Sequence, residues 1–195
     1  MTGGGALTFF NPHEAATVEA MAARIIPGTP EDPGAREAGV IVYIDRALAG
    51  AYRDLQPLYR RGVQELDARA RSRFGRPFAE LGEPEQDRML GELLEVTAPT
   101  LDTPGVDEAT ALLPYFAAVV HQHTVEGMFG DPAYGGNRDA VGWKLIGFPG
   151  ARWGYSAEQM RYGFDARRLR VMTLEDLRRD RGRGEAERGD GGDAE

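Results

Sequence analysis

Apolar residues in this chain recur at spacings of three and four, and no stretch sustains period-two alternation rich in β-branched side chains. That pattern restricts the chain to an all-α fold, an irregular bundle of about five main helices. Asn11-Pro12-His13-Glu14 reads as a helix start, with an N-cap, a proline at the first helical position and Glu14 three residues after the cap. Val18, Met21, Ala22 and Ile25 then follow at helical spacing until Pro27. A second helix is predicted from about Ala35 to Ala49, with Val40, Ile41, Ile44 and Leu48 on one stripe. The third runs from about Tyr52 to Phe74, its start drawn toward Leu55 by Pro57. A fourth begins at Pro84-Glu85 and buries Met89, Leu90, Leu93 and Leu94. Thr97 to Asp107, with Pro99, Pro104 and Gly105, reads as a linker, and the fifth helix spans Glu108 to Phe129.

From Gly130 to Gly154 the character changes. Glycines crowd this window together with both tryptophans, Trp143 and Trp153, so it reads as a long irregular excursion held by packing its rings against something. Ser156 to Gly163 and Thr173 to Arg179 each suit a short helix with a capping box. Residues 1–179 are thus expected to form a single helical domain. The stretch 180–195, made only of Arg, Asp, Glu, Gly and Ala, is expected to be disordered because it can bury almost nothing.

Composition narrows the chemistry. The net charge of −8 argues against nucleic acid, which requires a basic face. The absence of cysteine removes disulfides, thiolate metal sites and cysteine nucleophiles. No run reaches the ~18–20 apolar residues that span a bilayer. Met1 to Phe10 carries neither a Sec-type nor a twin-arginine signal, so the chain reads as cytoplasmic as written, as already processed, or as exported with a partner.

No assembled catalytic site is legible. His13 lies in a helix's first turn, and His121 and His123 point about 200° apart around one helix, which cannot grip a single ion. His123 falls on the stripe Leu112, Phe116, Val119, Val120, Met128, as a core histidine would. His123 and Glu126 have the i, i+3 spacing of half a carboxylate-bridged metal site, and a stand-alone metal protein or enzyme using that pair is the alternative reading. No second such unit is present. Neither a Gly-x-Gly-x-x-Gly unit between strand and helix nor a phosphate loop occurs, so no flavin, nicotinamide or nucleotide site is expected in this chain.

Three stretches carry a resemblance. The most specific is Thr124-Val125-Glu126-Gly127-Met128-Phe129-Gly130-Asp131-Pro132-Ala133-Tyr134-Gly135-Gly136-Asn137, followed by Gly142-Trp143-Lys144-Leu145-Ile146-Gly147-Phe148-Pro149-Gly150. The second is Arg24-Ile25-Ile26-Pro27 with Pro33-Gly34-Ala35-Arg36-Glu37-Ala38-Gly39-Val40 and Tyr43-Ile44-Asp45, and the third is Arg73-Phe74-Gly75 with Pro77-Phe78-Ala79-Glu80-Leu81. Across about residues 7 to 154 the chain resembles the gluconate 2-dehydrogenase subunit 3 family, small subunits of bacterial flavin-dependent sugar, polyol and aldonate dehydrogenases. The resemblance implies a non-catalytic chain without cofactor. Its partner would be a large FAD-dependent subunit of the glucose-methanol-choline type, often accompanied by a cytochrome c subunit. It also implies that the small subunit binds and matures that partner. Met128, Phe129, Tyr134, Asn137, Trp143, Lys144, Phe148 and Trp153 are the expected partner-binding residues, the rings because Trp and Tyr favour desolvated interface pockets. The same rings could instead fold back and cap the chain's own core, and the sequence leaves both arrangements open.

Overall fold

A computed structural model describes residues 6–95 and 108–189. The fold is all-α, and among the described residues the only strand-like pairing is an isolated bridge between Gly150 and Met172. Among the described residues seven α-helices follow in order: α1 (Pro12–Ile25), α2 (Val40–Ala49), α3 (Gln56–Phe74), α4 (Glu83–Leu94), α5 (Glu108–Phe129), α6 (Val141–Ile146) and α7 (Leu174–Gly189). The predicted linker from 97 to 107 lies outside the described residues, as does 190–195.

α5 is the axis of the bundle. It packs against α1, α2, α3 and α4. A helix enclosed on several sides must be apolar around most of its circumference. Ala111, Leu112, Phe116, Ala117, Val120 and Met128 are all buried, with His123 and Thr124 among them. The N-terminal start signal acts as predicted: the Asn11 side chain accepts from the Glu14 amide, and Glu14 accepts from the Asn11 amide. Just before it, the buried carboxylate of Asp45 on α2 accepts the backbone amides of Thr8, Phe9 and Phe10 at 2.7–3.0 Å, fixing the entering chain across α2. Asp67 on α3 does similar work, accepting from the Phe78 amide at 2.9 Å and pairing with His13.

Several element boundaries differ from the sequence expectation. Residues 35–39 form turns, and α2 starts only at Val40. Gly39 takes a left-handed φ of 67°, and the Ala38 carbonyl is claimed by the Arg138 amide, so a tertiary contact replaces the helical one. α3 begins at Gln56 after a short 3-10 turn over Arg53–Leu55, and Leu94 is exposed rather than buried. Between Ser156 and Gly163 the reciprocal Ser156–Gln159 hydrogen bonds form, but the segment stays in turns because it has no buried apolar face to propagate a helix. α7, by contrast, runs on to Gly189, ten residues into the stretch expected to be disordered. Helix-favouring Arg, Glu and Ala, and an Arg179–Glu175 pair one turn apart, account for its continuation.

Candidate functional site

The excursion after α5 is where the chain departs from a plain bundle, and it is built on the end of that helix. Helix C-termini leave carbonyl groups without intrahelical donors. Here side chains supply them: Trp143 Nε1 donates to the Phe129 carbonyl at 2.6 Å, and Asn137 Nδ2 donates to the Gly130 carbonyl at 2.8 Å. Asn137 Oδ1 then accepts from the Gly142 amide at 2.8 Å, closing the loop onto itself. Gly142 sits so close to α5 that a Cβ there would stand 2.0 Å from the Met128 carbonyl oxygen. The excursion is not wholly irregular, as the glycine content suggested: Val141–Ile146 forms the six-residue α6, whose inner side Gly142 and Trp143 press onto α5. Three non-glycine residues, Asn137, Asp139 and Ala140, hold positive φ of 45–54°, a strained arrangement kept by the contacts around it. Asp131 ties the far end down, accepting from the Ala133 amide at 2.9 Å and from the Leu174 amide at the start of α7 at 2.8 Å.

This construction divides the expected partner-binding residues into two groups. Met128, Asn137 and Trp143 are buried within the chain itself; Trp143 is only 5% exposed, with its ring edge-on to Phe148 at 5.2 Å. For Trp143 the self-capping arrangement is the one adopted. Phe129 is half-buried. Tyr134, Lys144, Phe148 and Trp153 face outward, Trp153 at 75% exposure. Beside them stand exposed side chains outside the expected partner-binding set: Leu145, Ile146, Tyr155, Met160 and Tyr162. Apart from Leu94 and Val125, every large apolar side chain left exposed among the described residues lies between Tyr134 and Tyr162. The available signal was the non-periodic spacing of large apolar residues from Trp153 to Tyr162, which no helix face could bury.

A second feature was not legible at all. Between α2 and the C-terminal half of α5 opens a cleft of about 670 Å³. Tyr43, Tyr52, Phe129 and Tyr134 supply its rings, Ala47 and Ala51 its small side chains, and Arg46 and Glu126 its charges. Glu126 accepts from the Tyr43 hydroxyl at 2.7 Å, the Tyr52 hydroxyl at 3.3 Å and Gln122 Nε2 at 2.9 Å. Burial, reinforced by the Glu126 charge, pushes the Tyr43 phenol far above its ordinary range and raises Tyr52 as well. Behind the cleft, His123 stacks on Tyr52 with centroids 4.7 Å apart, and its Nδ1 shares a 2.9 Å hydrogen bond with the Tyr59 hydroxyl. Burial holds the His123 imidazole below its ordinary pKa, opposed by the nearby Glu126 charge. His123 and Glu126 are therefore both engaged with tyrosine hydroxyls. Among the described residues no three His, Cys, Asp or Glu side chains are grouped to hold a metal ion. No helix among the described residues is long and apolar enough to cross a membrane.

Neither the curated proteins nor the solved structures include a match to this chain. Residues 12–150 match the family described as Gluconate 2-dehydrogenase subunit 3, a span that takes in the bundle and the excursion as far as Gly150. The chain belongs to the gluconate 2-dehydrogenase subunit 3 family, whose name marks it as a subunit of a multi-subunit dehydrogenase complex.

Proposed function

We propose that this chain is a non-catalytic docking subunit that binds, stabilises and matures the large FAD-dependent, glucose-methanol-choline-type subunit of a sugar or polyol oxidoreductase complex. The observation that carries the proposal is the concentration of exposed apolar side chains between Tyr134 and Tyr162 on a segment anchored to α5. Exposed apolar surface of this kind, displayed on a braced scaffold, suits a partner that covers it. Tyr134, Ile146, Phe148 and Trp153 are the proposed anchors, with Lys144 at hand for a carboxylate on the partner. FAD belongs to the partner in this reading, because among the described residues this chain offers no strand–turn–helix unit to hold a pyrophosphate. A cytochrome c subunit would be a further member of the complex, contacting either chain.

Purification of the tagged chain from its native host tests the proposal through the co-eluting protein. The expected result is a larger chain carrying FAD, whose flavin content falls when it is produced without this subunit. Truncating one buried interface tryptophan commonly costs ~2 kcal/mol or more, so Trp153→Ala should weaken the complex at least roughly thirtyfold. Its exposure means the melting temperature of the isolated chain should stay unchanged. A stoichiometric partner without flavin would overturn the proposal.

A further inference from the structure

The cleft between α2 and α5 has a chemistry of its own, although it shares Tyr134 with the docking segment. Four aromatic residues line it, Tyr43, Tyr52, Phe129 and Tyr134, and the carboxylate of Glu126 lies among them. Every donor that reaches Glu126 is neutral: the two tyrosine hydroxyls and the Gln122 amide. Among the described residues Glu126 forms no ion pair, so its negative charge stands in an aromatic setting without a directly bonded cation. Its field is felt on all sides, raising the phenols of Tyr43, Tyr52 and Tyr59 beyond what burial does. Arg46, the one cation lining the cleft, runs along the excursion; a Cβ on Gly135 would stand 2.9 Å from its Cδ and 3.0 Å from its Nη1. It too makes no ion pair with Glu126.

We propose that this cleft binds a small organic cation, an alkylated ammonium ion carrying an apolar body. Aromatic faces attract such cations through their quadrupoles, and the carboxylate adds the Coulombic term. Alkylation follows from the hydrogen-bond inventory. A primary ammonium carries three donors, whereas Glu126 already accepts three hydrogen bonds and the two nearest tyrosine hydroxyls are turned toward it as donors. A quaternary nitrogen needs no acceptor. The volume of about 670 Å³ exceeds a bare tetramethylammonium and falls in the range of small-molecule pockets, leaving room for a ring or short chain on the nitrogen.

Titrating benzyltrimethylammonium into the full chain at low salt, followed by calorimetry, tests this directly. The expected result is saturable one-to-one binding, with no binding of phenylacetate at the same concentrations. Glu126→Gln should weaken the interaction at least about tenfold, and Tyr134→Ala about three- to fivefold. Tyr134 is more than half exposed, so its truncation leaves the fold intact and keeps the test valid if the Glu126 variant misfolds. Arg46→Ala should leave binding unchanged or strengthen it. Binding of phenylacetate that Arg46→Ala abolishes would make the cleft an anion site and overturn the proposal. So would failure of benzyltrimethylammonium to bind, or equal binding by the wild type and both cleft variants. Each outcome is read as cation binding by the chain alone, so it stands whether or not the chain docks a flavoprotein.

Discussion

Trp143 and His123 show how single side chains here serve structure before anything else. Trp143 fills the space between α6 and the end of α5 and supplies the donor for the Phe129 carbonyl. Deleting so large a buried side chain typically destabilises by about 3–5 kcal/mol. For a domain of this size the melting temperature of Trp143→Ala should fall by roughly 6–20 °C. Trp143→Phe, which keeps most of the volume but orphans that carbonyl, should fall by much less. A Trp143→Ala chain that melts like the wild type would contradict the packing described. His123 gives a pH dependence. Burial lowers its folded pKa below the unfolded value of ~6.5, so on acidification the unfolded chain takes up the proton first. Its contribution to stability is complete above that unfolded value and is lost as pH falls through the window below it. Thermal melts between about pH 7 and pH 5 should therefore show falling stability, and His123→Gln should flatten that slope.

At the scale of elements, the central position of α5 depends on how closely its neighbours approach. Gly62 on α3 faces Phe116 on α5 so tightly that a Cβ would stand 2.3 Å from the ring. Gly62→Ala should destabilise by about 1–3 kcal/mol, as overpacked cores do. Adding Phe116→Leu should return part of that loss, giving a double variant more stable than the sum of the two single changes. Simple addition of the two losses in chemical denaturation would show that the helices separate elsewhere. The elements themselves were largely legible, because α1, α3, α4 and α5 each carry a local signal: Asn11 with Glu14, Gly75 after Phe74, Pro84, and a long apolar run. The boundaries that shifted are those set by distant partners. Arg138 claims the carbonyl of Ala38, and Met128 sets how closely α6 can lie, neither of which a local pattern records. The site divides the same way. Aromatic residues outside any helical stripe marked the excursion, but whether each ring faces in or out depended on the orphan carbonyls of α5. The cleft joins Tyr43 to Glu126 across 83 residues of sequence, and no spacing rule connects them.

Across the whole molecule, stability and docking are carried by different parts of the chain. The core lies among α1 to α5, whereas the described residues of the C-terminal third add only Trp143, Ala140 and Leu177 to the buried apolar set. It is attached to the bundle through Trp143 and Asn137, which donate to the carbonyls of Phe129 and Gly130. α7 is tied to the excursion by the contact from the Leu174 amide to Asp131 and carries the buried Leu177. Two truncations separate the consequences. Ending the chain after Arg181 removes none of the described buried residues and no apolar side chain larger than alanine, so its melting temperature should stay within ~2 °C of the full chain, as expected for changes outside the core. Ending it after Thr173 removes Leu177 and leaves the buried carboxylate of Asp131 without one of its two backbone donors, which should destabilise by about 1–3 kcal/mol. The same truncation should loosen the stretch from Gly150 to Thr173, because it also removes Asp176, which accepts from the Thr173 amide and hydroxyl at 3.0 and 3.1 Å and pairs with Arg170. If the docking proposal is right, this shorter chain should bind the flavoprotein more weakly than its modest loss of stability explains, because Trp153, Tyr155, Met160 and Tyr162 keep their identity but lose their placement. Equal affinity of the two truncated chains for the large subunit would move the interface off this segment and back onto the bundle.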